Sequence, residues 1–289
     1  MIIVKLIGGL GNQLFQYSLG RRLSEIHKTR LKIDISGFES YKLHKYSLWP
    51  FNIQENFASA TEIRAMAPRG RLGRALAKKW PKKWPKYILE KHFYFDPAIL
   101  NLPDGVYLEG YWQSEKYFSD IAEIIRREFT VKNPSAGKDK ELEGRIASCQ
   151  SVSLHIRRGD YVSNPKTKQI YGFCDLDYYQ RCIEQIAQMV ENPYFFVFSD
   201  DSEWASKNLK LSYPVIAVNH NTADKNYEDL RLMSRCKHHI IANSTFSWWG
   251  AWLDPGKDKT VLAPRQWFAP TAQVSMKLAD LFPPGWIPL

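Results

Sequence analysis

Short apolar segments typical of buried strands alternate with amphipathic helical segments along most of this chain, and this alternation constrains the fold more than any other feature. Each apolar segment is a few residues long and rich in β-branched or aromatic side chains, which favours strands buried on both faces. Strands that alternate with helices form parallel sheets, because a parallel connection needs a long crossover. The sequence therefore predicts an α/β fold built from Rossmann-like units.

The alternation occurs as two series. The first opens with a strand from Met1 to Ile7, a glycine turn and a helix from Asn12 to His27, which together begin a βαβ unit. Lys132 to Arg145 is polar, contains Pro and Gly, and is interpreted as an interdomain linker. We expect two domains, residues 1–148 and 149–289. In the second series the predicted strands are 151–157, 194–198, 213–218, 238–242 and 260–263, and the predicted helices are 176–189, 227–236 and 246–253.

Composition excludes several classes of protein. Hydrophobic residues make up 44% and charged residues 24%, a globular balance. No apolar run approaches the ~18 to 20 residues of a membrane-spanning helix. The first residues lack a basic leader and a small-residue cleavage site, so we expect neither a signal peptide nor an anchor, and a cytoplasmic protein. Four cysteines without CxxC pairing argue against a disulfide scaffold or a zinc ribbon.

A glycine turn follows the first strand. Gly9 and Gly11, followed by Asn12 and Gln13, would let the backbone approach a ligand at a helix N-terminus, where anions are favoured. A dinucleotide fingerprint is one interpretation, since Asp34 follows at about the right distance. Leu14 occupies the position of the third glycine, so the fingerprint is broken. A tight turn without a ligand is the other interpretation.

The sequence SVSLHIRRGDY begins at Ser151 and carries a sharper signal. Period two on a strand puts His155 and Arg157 on one face near the carboxyl end, where open α/β sheets place ligands. A guanidinium fork suits a diphosphate, which it can grip with two parallel hydrogen bonds. The alternative is an Arg–Asp pair that braces the loop beside a core histidine. The full motif at a strand end favours the phosphate.

A third motif, Asn243-Ser244-Thr245-Phe246-Ser247, ends another predicted strand with a run of hydroxyls. Ser or Thr at a helix N-cap, together with free backbone N–H groups, makes a second phosphate cradle. Ordinary capping is the alternative. Two strand-end sites in one half of the chain, one cationic and one hydroxylic, favour a phosphate ligand.

Acidic pairs offer only a weak case for a metal. Asp175 and Asp177 have the D-x-D spacing but lie at a predicted helix start, where acids complement the macrodipole. Asp200 and Asp201 follow a strand and could contact a ribose, a base or a cation. No nearby cluster of oxygen ligands suits Mg²⁺. We expect no metal and no cofactor.

The net charge of +10 is concentrated in one segment. From Arg69 to His92 there are nine Lys or Arg and one Glu, a net +8 in 24 residues. Tryptophans among these lysines, in a duplicated Lys-Lys-Trp-Pro, suit an anionic membrane surface or nucleic acid. The prolines argue against a continuous helix. A solvated loop without a partner is the third interpretation.

Taken together, these motifs resemble glycosyltransferase family 11, the α-1,2-fucosyltransferases, in its bacterial branch. The likeness is spread from the amino terminus to about residue 265 and is sparse in residues 38–150. The matching segments are GGLGNQLFQYSLGRRLS at 8–24, HIRRGDY at 155–161, FFVFSDD at 195–201, NHN at 219–221 and YEDLRLMSRCKHHIIANSTFSWWGAWL at 227–253.

The resemblance implies a GT-B fold, two Rossmann-like domains facing each other across a cleft, and metal-independent, inverting transfer of L-fucose. The donor would be GDP-β-L-fucose and the acceptor the 2-hydroxyl of a terminal β-galactoside. Donor-binding residues by this likeness are Gly9, Gly11, Asn12, Gln13, His155, Arg157, Asp229, Asn243, Ser244, Thr245, Phe246 and Ser247. Asn12 resembles an asparagine that reaches the reaction centre in related protein O-fucosyltransferases, and Arg157 would stabilise the leaving diphosphate. Asp160 is the candidate base by position, although it could equally pair with Arg158.

Other functions remain open at this level. A neighbouring GDP-deoxysugar such as GDP-colitose could replace GDP-fucose, since one ring hydroxyl separates the two donors. A nicotinamide dehydrogenase would use Gly9, Gly11 and Asp34. An RNA- or membrane-binding protein would be built around the basic segment. We expect no nucleic-acid partner, and peripheral contact of Arg69 to Lys91 with the inner face of an anionic bacterial membrane is a hypothesis beside the solvated loop.

Overall fold

The computed structural model of the protein describes residues 1–40, 43–68, 70–273 and 278–289. The chain divides into two compact units. The first unit contains Met1–Lys132 and Leu278–Phe282, and the second contains Asn133–Lys277 and Pro283–Leu289. Each unit has its own parallel sheet. The α/β class predicted from the alternating segments is therefore confirmed.

The described strands and helices follow the chain in this order. The strands are β1 (Ile2–Lys5), β2 (Leu31–Asp34), β3 (Tyr87–Leu89), β4 (Tyr107–Glu109), β5 (Gln150–Ile156), β6 (Pro193–Ser199), β7 (Val215–Val218), β8 (His238–Ile240), β9 (Val261–Ala263) and β10 (Ile287–Pro288). The helices are α1 (Leu10–Ile26), α2 (Ala60–Met66), α3 (Gly70–Lys79), α4 (Ala122–Glu128), α5 (Gly137–Ala147), α6 (Gly159–Ser163), α7 (Pro165–Tyr171), α8 (Leu176–Met189), α9 (Ser202–Asn208), α10 (Asn226–Arg235), α11 (Thr245–Leu253) and α12 (Pro270–Gln273).

The described sheet of the first unit has the order β2-β1-β4-β3, with parallel pairing throughout. Strand β1 is fully buried, as its run of β-branched residues predicts. The chain leaves β1 through Gly8, whose φ of +78° is a conformation that residues with a side chain rarely adopt. Helix α1 then begins at Leu10. This strand, turn and helix confirm the predicted βαβ opening.

The described sheet of the second unit has the order β10-β9-β8-β5-β6-β7, again parallel. This is the order of the nucleotide-binding Rossmann sheet. On one face Val152 and Leu154 pack with Tyr179 and Ile183 of α8. On the other face Phe196 and Phe198 of β6 pack with α5 and α10. Both faces of the sheet are therefore covered by helices, which is why its strands read as continuous apolar runs.

The predicted linker is largely helical. Within Lys132 to Arg145 the chain forms the first turns of α5, and Leu142 and Ile146, four residues apart, are buried against Phe196 and Phe198 of β6. The segment looks like a linker in the sequence because only this one stripe of the helix faces the core. Since α5 packs with the second unit, the structure divides the chain after Lys132 rather than after residue 148.

The stretch between residues 38 and 95 contains short regular elements. Helix α2 begins with a capping box in which Ser59 and Glu62 bond each other's backbone amides. Helix α3 ends before Pro81, as the prolines predicted. Within the described ranges, none of the helices combines the length and apolar character that crossing a membrane requires.

Candidate functional site

The strand order of the second unit creates a switch point beside β5. From β5 the chain builds β6 and β7 on one side and then returns to form β8 on the other side. In open α/β sheets, ligands bind at the carboxyl ends of the strands that flank such a switch point, which here are β5 and β8. The motif that contains His155 and Arg157 spans the carboxyl end of β5, and the motif that contains Ser244 follows β8.

His155 is buried at the end of β5, with its ring centroid 5.5 Å from that of Phe246 in the first turn of α11. This contact brings the motif that contains His155 and the motif that contains Ser244 together. Burial lowers the pKa of the His155 imidazole to about 3, and the charge of Arg157 acts in the same direction. The ring is therefore neutral at physiological pH. Its Nδ1 atom is buried without a hydrogen-bond partner among the described residues.

Arg157 supplies the fixed positive charge at this edge. Its Nη1 atom lies 2.8 Å from Oδ2 of Asp200, and its guanidinium lies 5.2 Å from the ring centroid of Tyr161. The Tyr161 hydroxyl in turn donates to the carbonyl of Asn243 after β8 (3.3 Å). The Arg–Asp brace considered from the sequence is present, but the carboxylate is Asp200 at the end of β6.

The neighbouring arginine is used for packing. Arg158 stacks its guanidinium 3.7 Å from the ring centroid of Trp204, and its Nε atom lies 3.4 Å from Oδ2 of Asp201. Asp201 also caps α9 by accepting from the amide of Trp204. Asp160 lies in α6, but its side chain is outside the described residues, so its proposed role as base remains a prediction.

The hydroxyl motif opens α11 as predicted. Ser244 is the N-cap and accepts from the amide of Phe246. The Ser247 hydroxyl turns inward and accepts from the amide of Ala242. The Asn243 amide donates to the carbonyls of Tyr171 and Trp267.

These bonds assign different tasks within the motif. The Asn243 amide and the Ser247 hydroxyl hold loops and the strand end together, because both groups already form hydrogen bonds with the backbone. Thr245 and Phe246 are half-buried in the first turn of α11. Donor binding by all five residues, Asn243 to Ser247, stays a prediction.

Asp229 belongs to a polar cluster that joins α5, α10 and the loop after β7. Its carboxylate accepts from the Asn221 amide (2.8 Å), which also donates to Asp139 (3.0 Å). His220 contacts the same Asp139 oxygen through Nε2 (2.8 Å). Burial raises the pKa of Asp229 to about 6. None of the hydrogen bonds described for Asp229 joins it to His155 or Ser244.

The glycine turn of the first unit also lies at a switch point, between β1 and β4. Asn12 Oδ1 accepts from Nε2 of Gln113, which follows β4 (2.9 Å). Gln13 is fully buried and binds the carbonyls of Gly8 and Lys45 and the amide of Ser47.

The tasks of these turn residues therefore differ. Gln13 holds the chain around the turn, whereas Asn12 has a half-buried amide at the edge of the sheet. Gly9 is the N-cap of α1, and Gly11 is buried in its first turn.

Asp34 argues against the dehydrogenase interpretation. Its carboxylate is buried and accepts from the hydroxyl of Tyr107 (2.5 Å) and the amide of Ser36 (2.8 Å). A ribose would need those same oxygens. Asp34, the acidic residue of the broken fingerprint, is thus already hydrogen-bonded within the first unit.

In the described structure, Asp175 and Asp177 form their contacts with helix α8. Asp175 caps α8 through the amide of Tyr178 (2.8 Å), and Asp177 pairs with Arg181. Among the described residues, no three His, Cys, Asp or Glu side chains come together in a group that could hold a metal ion. Metal independence remains an expectation.

Sequence reasoning missed Asp200 as the partner of Arg157, and Gln113 as the partner of Asn12. The sequence pattern could have indicated Asp200, because this residue follows the strand after β5 and the carboxyl ends of neighbouring parallel strands lie together. No sequence pattern indicated Gln113, since it lies 101 residues from Asn12 and its segment carries no motif.

Two units, each with its own parallel sheet and a switch point, are the arrangement of the GT-B type of glycosyltransferase fold. The model of the family described as "Glycosyl transferase family 11" matches residues 1–289. The chain belongs to this family. The resemblance inferred from the motifs, the predicted GT-B fold class and the assignment as a glycosyltransferase are confirmed.

Two bacterial relatives are similar along nearly their whole length. An α-1,2-colitosyltransferase of Escherichia coli is 36% identical over 297 residues, covering 99% of this chain and 98% of the relative. The O-antigen biosynthesis glycosyltransferase WbnK of Escherichia coli is 32% identical over 289 residues, covering 91% and 94%. Human galactoside α-(1,2)-fucosyltransferase 1 is 28% identical over 199 residues, covering 65% of this chain and 54% of the human protein.

A solved structure supports the fold. Arabidopsis thaliana FUT1, a mutant in complex with GDP, aligns with a TM-score of 0.53 at 11% identity, covering 98% of this chain and 74% of the plant protein. At this identity the likeness concerns the fold alone.

Proposed function

We propose that the protein transfers L-fucose from GDP-β-L-fucose to the 2-hydroxyl of a terminal β-galactoside, with inversion, to form an α-1,2 linkage. The observation that carries the proposal is the meeting of the His155 and Ser244 motifs at one switch point, in a chain that matches its family over its full length. The acceptor oxygen forms a bond to C1 of the sugar, and the bond from C1 to the diphosphate oxygen breaks. GDP leaves with the electron pair of that bond.

The chemistry needs positive potential where the diphosphate leaves. In the proposal the Arg157 guanidinium and the N-terminus of α11 supply it. Because these groups are fixed before the reaction, they stabilise the developing charge without reorganising. His155, as a neutral imidazole, would contribute a hydrogen bond rather than a charge. We propose that no metal is required.

The acceptor side is proposed to belong to the first unit, at the switch point that carries Asn12 and Gln113. Two amide side chains at a strand end can hydrogen-bond sugar hydroxyls as both donors and acceptors. The proton of the attacking hydroxyl would go to Asp160 or, in a loose oxocarbenium-like transition state, to water. Asp229 is proposed to contact the nucleoside.

A second candidate donor is GDP-colitose. The similarity to an α-1,2-colitosyltransferase, 36% identity over 99% of this chain, favours it specifically. The two donors differ by one ring hydroxyl. Transfer to the same acceptor position is part of both candidates.

The test incubates the protein with each donor and a terminal β-galactoside in EDTA, and identifies the product linkage by NMR. The proposal expects an α-1,2 product, and the donor with the higher kcat/KM decides between fucose and colitose. R157A should lose activity, whereas R181A, which changes an exposed arginine in the same unit, should keep it. Absence of product with both donors, or a linkage to another hydroxyl, would contradict the proposal.

A further inference from the structure

We propose that the exposed face of α3 and the turn that follows it bind an anionic lipid bilayer. This lysine–tryptophan surface consists of Leu72, Leu76, Lys78, Lys79, Trp80, Lys82, Lys83 and Lys86. It lies in the first unit and takes no part in the sugar-transfer chemistry proposed above. Arg69, which opens the basic segment of the sequence, lies outside the described residues, and the surface is defined without it.

An apolar stripe points outward from α3. Leu72, Leu76 and Trp80 follow each other at intervals of four residues and are 76%, 36% and 46% exposed. The amide of Trp80 donates to the carbonyl of Leu76 (2.8 Å), so the tryptophan continues the last helical turn. Exposed leucines in a row on one helix face cost free energy in water, which indicates a surface that is covered in use.

The helix is anchored by its opposite side. Ala77 is buried in a cluster with Met66, Tyr87 and Tyr107, and Trp84 packs against the same cluster. The stripe is therefore held on a folded element and is not a loose segment. A preformed surface loses little conformational entropy on binding.

Unneutralised positive charge surrounds the stripe. Five exposed lysines flank it, and none of them forms an ion pair with a carboxylate in the described part of the chain. The nearby Arg74, by contrast, pairs with Glu109. The Nζ atoms of Lys79 and Lys83 lie 4.9 and 5.5 Å from the ring centroid of Trp80. Cations, leucines and an indole thus share one face.

This combination fits a bilayer better than a nucleic acid. Single-stranded nucleic acids pair cations with aromatic stacking platforms, but they offer no apolar volume for Leu72 and Leu76. An interfacial helix instead buries its apolar face at the headgroup boundary, places an indole at that level and directs lysines to anionic lipids. Each lysine near such a surface strengthens binding about fivefold.

The test is flotation of the full-length protein with vesicles. We expect binding to equimolar phosphatidylcholine and phosphatidylglycerol, weakened by salt, and little binding to phosphatidylcholine alone. K78E/K79E/K82E/K83E should lower the partition coefficient at least about tenfold. L72S/W80S keeps all the charge and should still lower it several-fold, because apolar insertion is lost.

A matched control carries the same charge change elsewhere. K207E/K210E/K225E/K257E replaces four exposed lysines of the second unit and should bind anionic vesicles about as well as wild type. Equal loss in both lysine variants would show that only net charge matters and would overturn the proposal. Binding to an oligouridylate but not to vesicles would also overturn it, and would assign the surface to nucleic acid.

Discussion

At the scale of single residues, the candidate donor site depends on the close contact between Gly159 and Asp200, which leaves no room for a side chain at position 159. The Asp200 carboxylate pairs with Arg157 and accepts from the amide of Arg158 (2.8 Å). A Cβ atom at Gly159 would lie 2.5 Å from Oδ2 of Asp200, closer than such atoms approach. Gly159 therefore lets one carboxylate hold the arginine and the loop together.

G159A should weaken GDP binding about tenfold, because the added methyl displaces Asp200 and Arg157 loses its brace. Calorimetric titration with GDP measures this. G144A is the matched control: a Cβ there meets no atom within 4 Å, in the exposed middle of α5, so GDP affinity should not change. Equal affinity of G159A and wild type would show that Asp200 does not position Arg157.

His155 predicts a specific response to acid. Its pKa is near 6.5 in the unfolded chain and about 3 in the folded protein, so the unfolded state binds more protons between those values. The stability that His155 contributes is complete above pH 6.5 and falls as the pH decreases below it. Between pH 7.5 and 5, the melting midpoint of wild type should therefore drop more than that of H155Q. Parallel profiles would mean that His155 titrates normally.

A buried Ser-His-Asp arrangement also lies in the second unit. Ser153 Oγ is 2.8 Å from Nδ1 of His239, whose Nε2 lies 3.1 Å from Asp254. The serine and the histidine have no exposed surface, so no substrate can reach them. We interpret the three groups as a brace that links β5, β8 and the loop after α11, because buried polar groups need partners.

At the scale of elements, α5 shows where sequence patterns are weakest. Its composition is polar, it begins at Gly137 and it contains Gly144, yet Leu142 and Ile146 bury one stripe against β6. Two apolar side chains in eleven residues do not distinguish an amphipathic helix from a linker. The sheet that completes the packing is formed by residues far along the chain, which local patterns do not record.

I146A should destabilise the second unit by about 2–5 kcal/mol, the usual cost of truncating a buried isoleucine. E141A, at an exposed position of the same helix, should change stability by less than about 0.5 kcal/mol. Urea unfolding followed by tryptophan fluorescence measures both. A similar small effect of the two substitutions would mean that α5 is not part of the core.

The elements of the second sheet were largely predictable. Helix α8 has the bounds expected from its periodicity, and the predicted strands appear within a few residues of their expected ends. Continuous apolar runs between turn residues mark such strands clearly. Short elements such as α9 and β10 were not predicted, because they carry too few residues to show a period.

Site residues were predictable only in part. His155, Arg157 and Ser244 were found because strand ends concentrate ligand groups, and the structure brings their motifs together. The same rule could not separate side chains that face a ligand from those that hold the fold. Gln13, Asn243 and Ser247 therefore look equivalent to their neighbours in the sequence, although their polar groups are used internally.

At the scale of the whole molecule, the division of the chain is not a single cut. Leu278–Phe282 belongs to the first unit although the residues on both sides of it belong to the second. Asp280 accepts from the amide of Phe95 and pairs with Lys116. Contacts between residues 164 or more positions apart leave no local pattern in the sequence. A single linker between two continuous domains was therefore the simplest expectation.

In the proposed function the second unit binds a GDP-sugar through the edge formed by β5 and α11. Calorimetric titration with GDP in EDTA measures this binding, with H155A/R157A beside wild type and R181A as the control for a lost exposed arginine. We expect saturable binding in wild type and R181A that collapses in the double variant. Absence of GDP binding by folded wild type, or binding that survives in H155A/R157A, would overturn the proposed donor site.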